Sequence, residues 1–149
     1  RFKLYTVFPA LFLKHVEQLD PLFRKGRIPY VCLPVQSAAT RVLHLMNRRY
    51  DPDALTDAVG RLKALDPDVF FYSHFIFNFP TETWEEFEQS MAFSRYFDHC
   101  VFIGYGENNG TRAAALFPKC DEQTREAKVK RLTEAVKCGE ISAFVVPNP

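Results

Sequence analysis

Apolar positions along the chain switch repeatedly between the short runs of buried strands and the three-and-four spacing of amphipathic helices. Residues 2–8 read as a strand closed by Pro9, and residues 11–22 follow with helix-spaced Leu11, Phe12, Val16 and Leu19. After the basic turn at residues 24–27, residues 29–35 predict a second strand, and Ala39, Val42, Leu43 and Met46 then share one helical face. The period changes near Gln36. Gln36 and Ser37 therefore stand at the carboxyl end of a strand, where open α/β sheets and barrels place their ligands.

Asp51 and Pro52 offer an N-cap with proline just inside the helix, and Leu55, Ala58, Val59, Leu62 and Leu65 continue it until Asp66 and Pro67. Residues 69–77 form a nearly continuous apolar run, expected as a central parallel strand covered on both faces. Thr83 and Glu86 have capping-box spacing ahead of a helix presenting Trp84, Phe87 and Met91. Residues 100–105 predict another strand, followed by a loop rich in glycine and asparagine at residues 104–110. Residues 122–137 predict a polar helix with a sparse face of Val129, Leu132 and Val136. Residues 141–146 read as a final strand or a tail. Strands and helices alternating in this way argue for the α/β class with parallel strands and right-handed crossovers. About four strands are visible, too few for a closed eight-strand barrel.

Composition narrows the function classes. The chain has 149 residues, of which 47% are hydrophobic and 15% aromatic, enough for one core. A net charge of +1 gives no electrostatic case for a polyanion-binding surface. Cys32, Cys100, Cys120 and Cys138 match no zinc, redox or iron-sulfur spacing, and buried reduced thiols in a cytoplasmic protein are the expected reading. No apolar run is long enough to span a bilayer, so no membrane partner is expected. The chain starts at Arg1 almost directly in a strand, which suggests missing upstream residues. An edge exposed there is expected to pair two copies into a homodimer.

Three segments carry a more specific signal. The first is Leu33-Pro34-Val35-Gln36-Ser37 with the helix ending Leu45-Met46-Asn47-Arg48-Arg49-Tyr50; the second is Phe-Ile-Phe-Asn-Phe-Pro-Thr-Glu-Thr at residues 75–83; the third spans residues 101–111. In their order and spacing they resemble the radical S-adenosylmethionine enzymes, and among these the methylthiotransferases that modify transfer RNA or a ribosomal protein. The resemblance implies a partial (βα) barrel with parallel strands and flanking helices. Residues 1–137 would supply about its strands three to six, and residues 138–149 a tail or the start of a following segment. It also implies S-adenosylmethionine and a 4Fe-4S cluster as cofactors, methylthiolation as the reaction of the parent enzyme, and a tRNA or protein substrate.

By the same resemblance, Gln36, with Ser37 beside it, falls where strand four approaches the bound methionine or ribose. Arg48 falls at a basic position that holds the cofactor carboxylate, for which a planar fork of donors is suited. His74 stands where relatives have an aspartate for the ribose hydroxyls, and Asn78, Phe79 and Pro80 form the turn nearest the adenine. Tyr105, Glu107 and Asn109 lie on the loop that faces the substrate. Gln36, Arg48 and Asn78 are thus expected to converge on one cavity. Relatives have glycine at positions 78 and 81 and Gly-Ser after the Gln-Ser pair, where this chain has Asn78, Thr81 and Ala38-Ala39.

Each assignment has a plainer counterpart. Gln36 would serve equally as a helix cap, His74 as a hydrogen-bonded core residue, and Arg49 as a helix-end cation. Glu82, beside Thr83, is read as a charge favoured by the helix N-terminus. The polypeptide contains no CxxxCxxC, so no metal ligands are assigned to it and the isolated chain is expected to be inert. Either a cluster-bearing part lies upstream or the chain is a non-catalytic half-barrel with a binding role. A different radical subclass, cobalamin-linked or rearranging, is the alternative within enzymes.

Overall fold

The computed structural model describes residues 1–147. Its strands are β1 (Lys3–Leu4), β2 (Tyr30–Gln36), β3 (Phe70–Phe77), β4 (His99–Gly104) and β5 (Ala143–Val146). Helix α1 (Pro9–Phe23) joins β1 to β2; α2 (Thr40–Leu45) and α3 (Pro52–Leu65) lead to β3; α4 (Trp84–Ser94) leads to β4, and α5 (Glu122–Lys137) to β5. All neighbouring strands are parallel and follow one another in sequence order. A consecutive parallel order with helical crossovers is that of part of a βα barrel.

Local chemistry explains most boundaries. Asp51 caps α3 by accepting from the Asp53 N–H at 3.0 Å, with Pro52 just inside, and Thr83 and Glu86 close a reciprocal capping box on α4. β1 is much shorter than the strand expected over residues 2–8. Thr6 adopts φ +54°, outside the extended region, and Pro9 starts α1, where its missing N–H has no partner to lose. Residues 143–146 form β5, paired with β4.

β3 departs from the expected two-sided burial. Phe71, Ser73, Phe75 and Phe77 are buried, whereas Tyr72, His74 and Ile76 are only partly so and Phe70 is exposed. One face packs beneath the helices, where Phe12, Phe23, Leu55, Leu62, Phe87 and Phe102 join the core. The other face stays open, and its aromatic side chains made an alternating strand look uniformly apolar. Rings on that face meet in a row across the sheet: Tyr5 tilted against Tyr30 at 5.3 Å, Tyr30 stacked on Tyr72 at 6.4 Å, Tyr72 stacked on His99 at 5.9 Å, and His99 edge-on to Phe144 at 4.7 Å. At the far end of β4 a side chain on Gly104 would meet the Pro147 carbonyl oxygen at 1.9 Å, so the close approach of the two strands there requires glycine.

An ion network fastens the last helix to the rest. Arg131 on α5 binds Glu88 of α4 at 3.0 Å and Glu140 at 2.9 Å, and Arg95 binds Glu140 at 2.6 Å. Hydrogen bonding from Arg131, helped by Arg95, draws the Glu140 carboxyl from 4.5 down to about 2, against the opposing effect of desolvation. A carboxyl depressed by folding stabilises the fold above its unfolded value, and that contribution disappears as pH falls through the folded value. Urea unfolding from pH 5 to pH about 2 should therefore show a loss of stability that is smaller in Glu140→Gln; identical pH profiles would count against the network.

Candidate functional site

The site starts from an irregularity in β2. Leu33 pairs with Ser73, but the next partners are Gln36 and Phe75, so β2 carries one residue more than β3 over this interval. Pro34, which has no N–H for a ladder, sits in the bulge. Side chains bring donors to the bulged stretch: the Ser73 hydroxyl donates to the Leu33 carbonyl at 2.8 Å and the Tyr50 hydroxyl to that of Val35 at 2.6 Å. Arg48 approaches the Pro34 carbonyl at 3.5 Å. The strand then ends with Gln36 at φ +74°.

Two cavities adjoin at the carboxyl ends of the strands. One, of about 660 Å³, is lined by Gln36, His74, Ile76, Ile103, Tyr105, Glu107 and Asn108. The other, of about 620 Å³, lies among Asn47, Arg48, Ile76, Phe79, Asn108 and Arg112. Ile76 and Asn108 belong to both walls, so the two cavities form one cleft with two compartments.

His74 is half-buried, its ring 5.2 Å from and edge-on to that of Tyr72, with Nε2 3.9 Å from the Cys32 sulfur. Burial lowers the imidazole pKa, favouring the neutral ring, which retains one lone pair as an acceptor. Arg48 rests over the Phe8 ring at 4.8 Å, and burial works against its charge. Among the described residues no carboxylate pairs with it. Arg49 is exposed.

The remaining expected site residues separate. Ser37 is wholly buried: its Oγ accepts from the Ala39 N–H at 3.1 Å and lies 3.4 Å from that of Ser90, fastening the turn without lining the cleft. Phe79 floors the second compartment and meets Tyr105 edge-on at 5.3 Å. Pro80 is buried in the turn. Tyr105 and Glu107 line the first compartment, Glu107 paired with Lys119 at 2.7 Å, while the exposed Asn109 yields its expected place to Asn108.

Asn78 does not converge with Gln36 and Arg48. Strand alternation from Ile76 would put its side chain on the open face, but φ +62° turns it instead toward a separate cavity against α5, where it accepts from the Cys120 thiol at 3.4 Å. Thr81 is also left-handed, at φ +70°. These are two positions where the resemblance has glycine, the residue that adopts such a backbone without strain.

Glu82 differs from its expected role. Its side chain is completely buried and forms an ion pair at 2.7 Å with Lys128 of α5, also completely buried, while Glu86 serves the N-terminus of α4 and binds Arg41. Burial pushes the Glu82 carboxyl upward, opposed by the Lys128 charge and the Asn78 N–H. Sequence reading also missed Ile76, Ile103, Asn108 and Arg112. Alternation from His74 to Ile76 was the available signal for the first; nothing in the loop pattern marked Arg112.

No protein-family model matches the chain. It is 32% identical over 146 residues to tRNA-2-methylthio-N(6)-dimethylallyladenosine synthase of Bacillus velezensis, covering 96% of this chain and 28% of that protein. To the synthase of the same name from Oleidesulfovibrio alaskensis it is 40% identical over 113 residues, 74% of this chain and 24% of that one. Ribosomal protein uS12 methylthiotransferase RimO of Shewanella amazonensis is 35% identical over 144 residues, 95% of this chain and 32% of that one. The chain thus spans about three tenths of the length of these relatives. Among solved structures, Streptococcus suis SuiB bound to S-adenosylmethionine superposes with a TM-score of 0.57 at 14% identity, over 85% of this chain and 29% of that one. That likeness is one of fold, and it agrees with the partial-barrel arrangement.

Proposed function

The chain is a homologue of the methylthiotransferases over nearly its whole length, and on that premise we propose that it forms the S-adenosylmethionine-holding wall of a radical enzyme that methylthiolates a tRNA nucleoside or a ribosomal protein side chain. The observation that carries the reading is the two-compartment cleft, with Gln36 and His74 on one side of Ile76 and Arg48 on the other. The groups present suit the cofactor. The Arg48 guanidinium, which has no carboxylate partner among the described residues, matches the methionine carboxylate. A neutral imidazole and a primary amide match ribose hydroxyls. The apolar surface of Ile76 and Phe79 suits an adenine.

When bound, S-adenosylmethionine supplies an activated sulfonium whose carbon bonds are the reactive ones. The chain's own residues hold it: Arg48 fixes the carboxylate end, His74 and Gln36 orient the ribose, and the Phe79–Pro80 turn closes over the base. Tyr105 and Glu107, at the rim, meet the substrate, with Asn109 beside them on the loop. Ser37 acts through the turn it fastens, and Asn78 through its backbone. A 4Fe-4S cluster does not fit this chain: among the described residues no group of three or more histidine, cysteine or acidic side chains is arranged to hold a metal. If the parent enzyme carries such a cluster, its ligands would lie outside the described residues.

Among the described residues no helix is long and apolar enough to cross a membrane; a cytoplasmic location belongs to the same proposal. So does pairing of two copies through the outer edge of β1, which sedimentation at rising concentration should show as a dimer; a monomer throughout would oppose it.

Calorimetric titration of S-adenosylmethionine into the chain tests the cofactor reading. Arg48→Ala and His74→Ala should each weaken binding by about tenfold, the scale of a lost charge-assisted or buried hydrogen bond, with Arg49→Ala unchanged. Protonation removes the acceptor of His74, so affinity should fall as pH drops below the imidazole range in the wild type and stay flatter in His74→Ala. No binding, or equal losses at Arg48 and Arg49, would contradict the proposal.

A further inference from the structure

Glu82 and Lys128 line neither compartment of the cleft. They meet behind the turn that follows β3. Oε2 of Glu82 accepts from the Asn78 N–H at 2.9 Å and from the Lys128 ammonium at 2.7 Å. The other carboxylate oxygen is buried with no partner among the described residues, and the ammonium stands 5.2 Å from the centre of the Phe87 ring. We propose, resting on the cofactor reading above, that Glu82 and Lys128 are positioning residues: α5 holds the carboxylate that fixes the Asn78 amide, and so sets Phe79 as the floor of the cofactor cleft.

The turn needs such a hold. Asn78 and Thr81 both have left-handed backbones, which non-glycine residues keep only where the surroundings impose them. Thr81 is gripped on its own side: its N–H donates to the Pro118 carbonyl at 2.9 Å, and Arg41 donates to its carbonyl at 2.6 Å and to its hydroxyl at 3.0 Å. For the Asn78 N–H the acceptor is Glu82, and a rotation at Asn78 carries Phe79, the next residue, into or out of the second compartment.

Stability alone does not call for an ion pair here. Apolar residues of similar volume commonly replace a buried pair without loss, yet they would leave the Asn78 N–H with no acceptor. The two roles therefore separate in Glu82→Leu/Lys128→Met, with Glu82→Gln as the variant that keeps an acceptor for Asn78 but leaves Lys128 unpaired.

Melting temperature, S-adenosylmethionine affinity and the Asn78 amide resonance are measured on the full chain. The double variant should melt at or above Glu82→Gln, bind the cofactor about tenfold more weakly than wild type, and show an Asn78 amide moved upfield and exchanging faster. Glu82→Gln should bind better than the double variant despite its lower melting temperature, with a smaller amide shift in the same direction. Affinities that follow melting temperature, or an Asn78 amide unchanged in either variant, overturn the proposal. Should the wild type fail to bind S-adenosylmethionine, the cofactor reading falls, and the amide resonance alone decides whether Glu82 fixes the turn.

Discussion

A carboxylate and an ammonium, both shut off from water, join α5 to the turn after β3. Such a pair is costly to desolvate, and removing one partner typically destabilises a protein by about 3–5 kcal/mol because the other charge is left alone. The pair therefore ties the register of α5 to the turn. Arg131, one turn further along α5, adds partly exposed ion pairs to Glu88 and Glu140, and these are weaker fasteners because water competes for them. With α5 in place, β5 completes the sheet against β4, and Gly104 allows the Pro147 carbonyl to close over the strand end.

The cleft depends on departures from regular strand geometry at the same end of the sheet. A bulge turns the end of β2, and left-handed residues turn the end of β3. Each irregularity exposes backbone groups, and side chains meet them: Tyr50 and Arg48 for the bulge, and for the turn its own Glu82 together with the distant Arg41. Arg48 consequently serves two ends. It leans on the Pro34 carbonyl and the Phe8 ring, yet lines the cavity and has no carboxylate partner among the described residues.

Period and capping chemistry in the sequence were enough to place α3, α4 and α5 and to find β2, β3 and β4, because Asp51, Thr83 and the apolar faces act locally. The parallel order followed from the alternation of elements. Legibility failed where the deciding contact is long-range. The aromatic open face of β3 looked like two-sided burial because Tyr72 and Ile76 are apolar enough to mimic a core. Lys128 looked like one more exposed cation on a polar helix, since nothing within α5 reveals that Glu82 waits 46 positions earlier. Asn78 was placed beside the adenine by the motif resemblance, and its left-handed backbone turns the side chain toward α5 instead. Gln36, His74 and Arg48 were found through motif resemblance, and the structure sets them in adjoining compartments whose shared wall, Ile76 and Asn108, no motif named.

The central claim is that the cofactor is received at the carboxyl end of the sheet's open face, beside Gln36, His74 and Ile76, and not along the aromatic row nearer its amino end. Titrating S-adenosylmethionine into isotopically labelled chain and following every backbone amide tests it most directly. The account predicts shifts concentrated at Gln36, His74, Ile76, Phe79 and Tyr105, with Arg48 moving as the carboxylate docks. Shifts centred instead on Tyr30, Tyr72 and Phe144, or none at saturating cofactor, would contradict it.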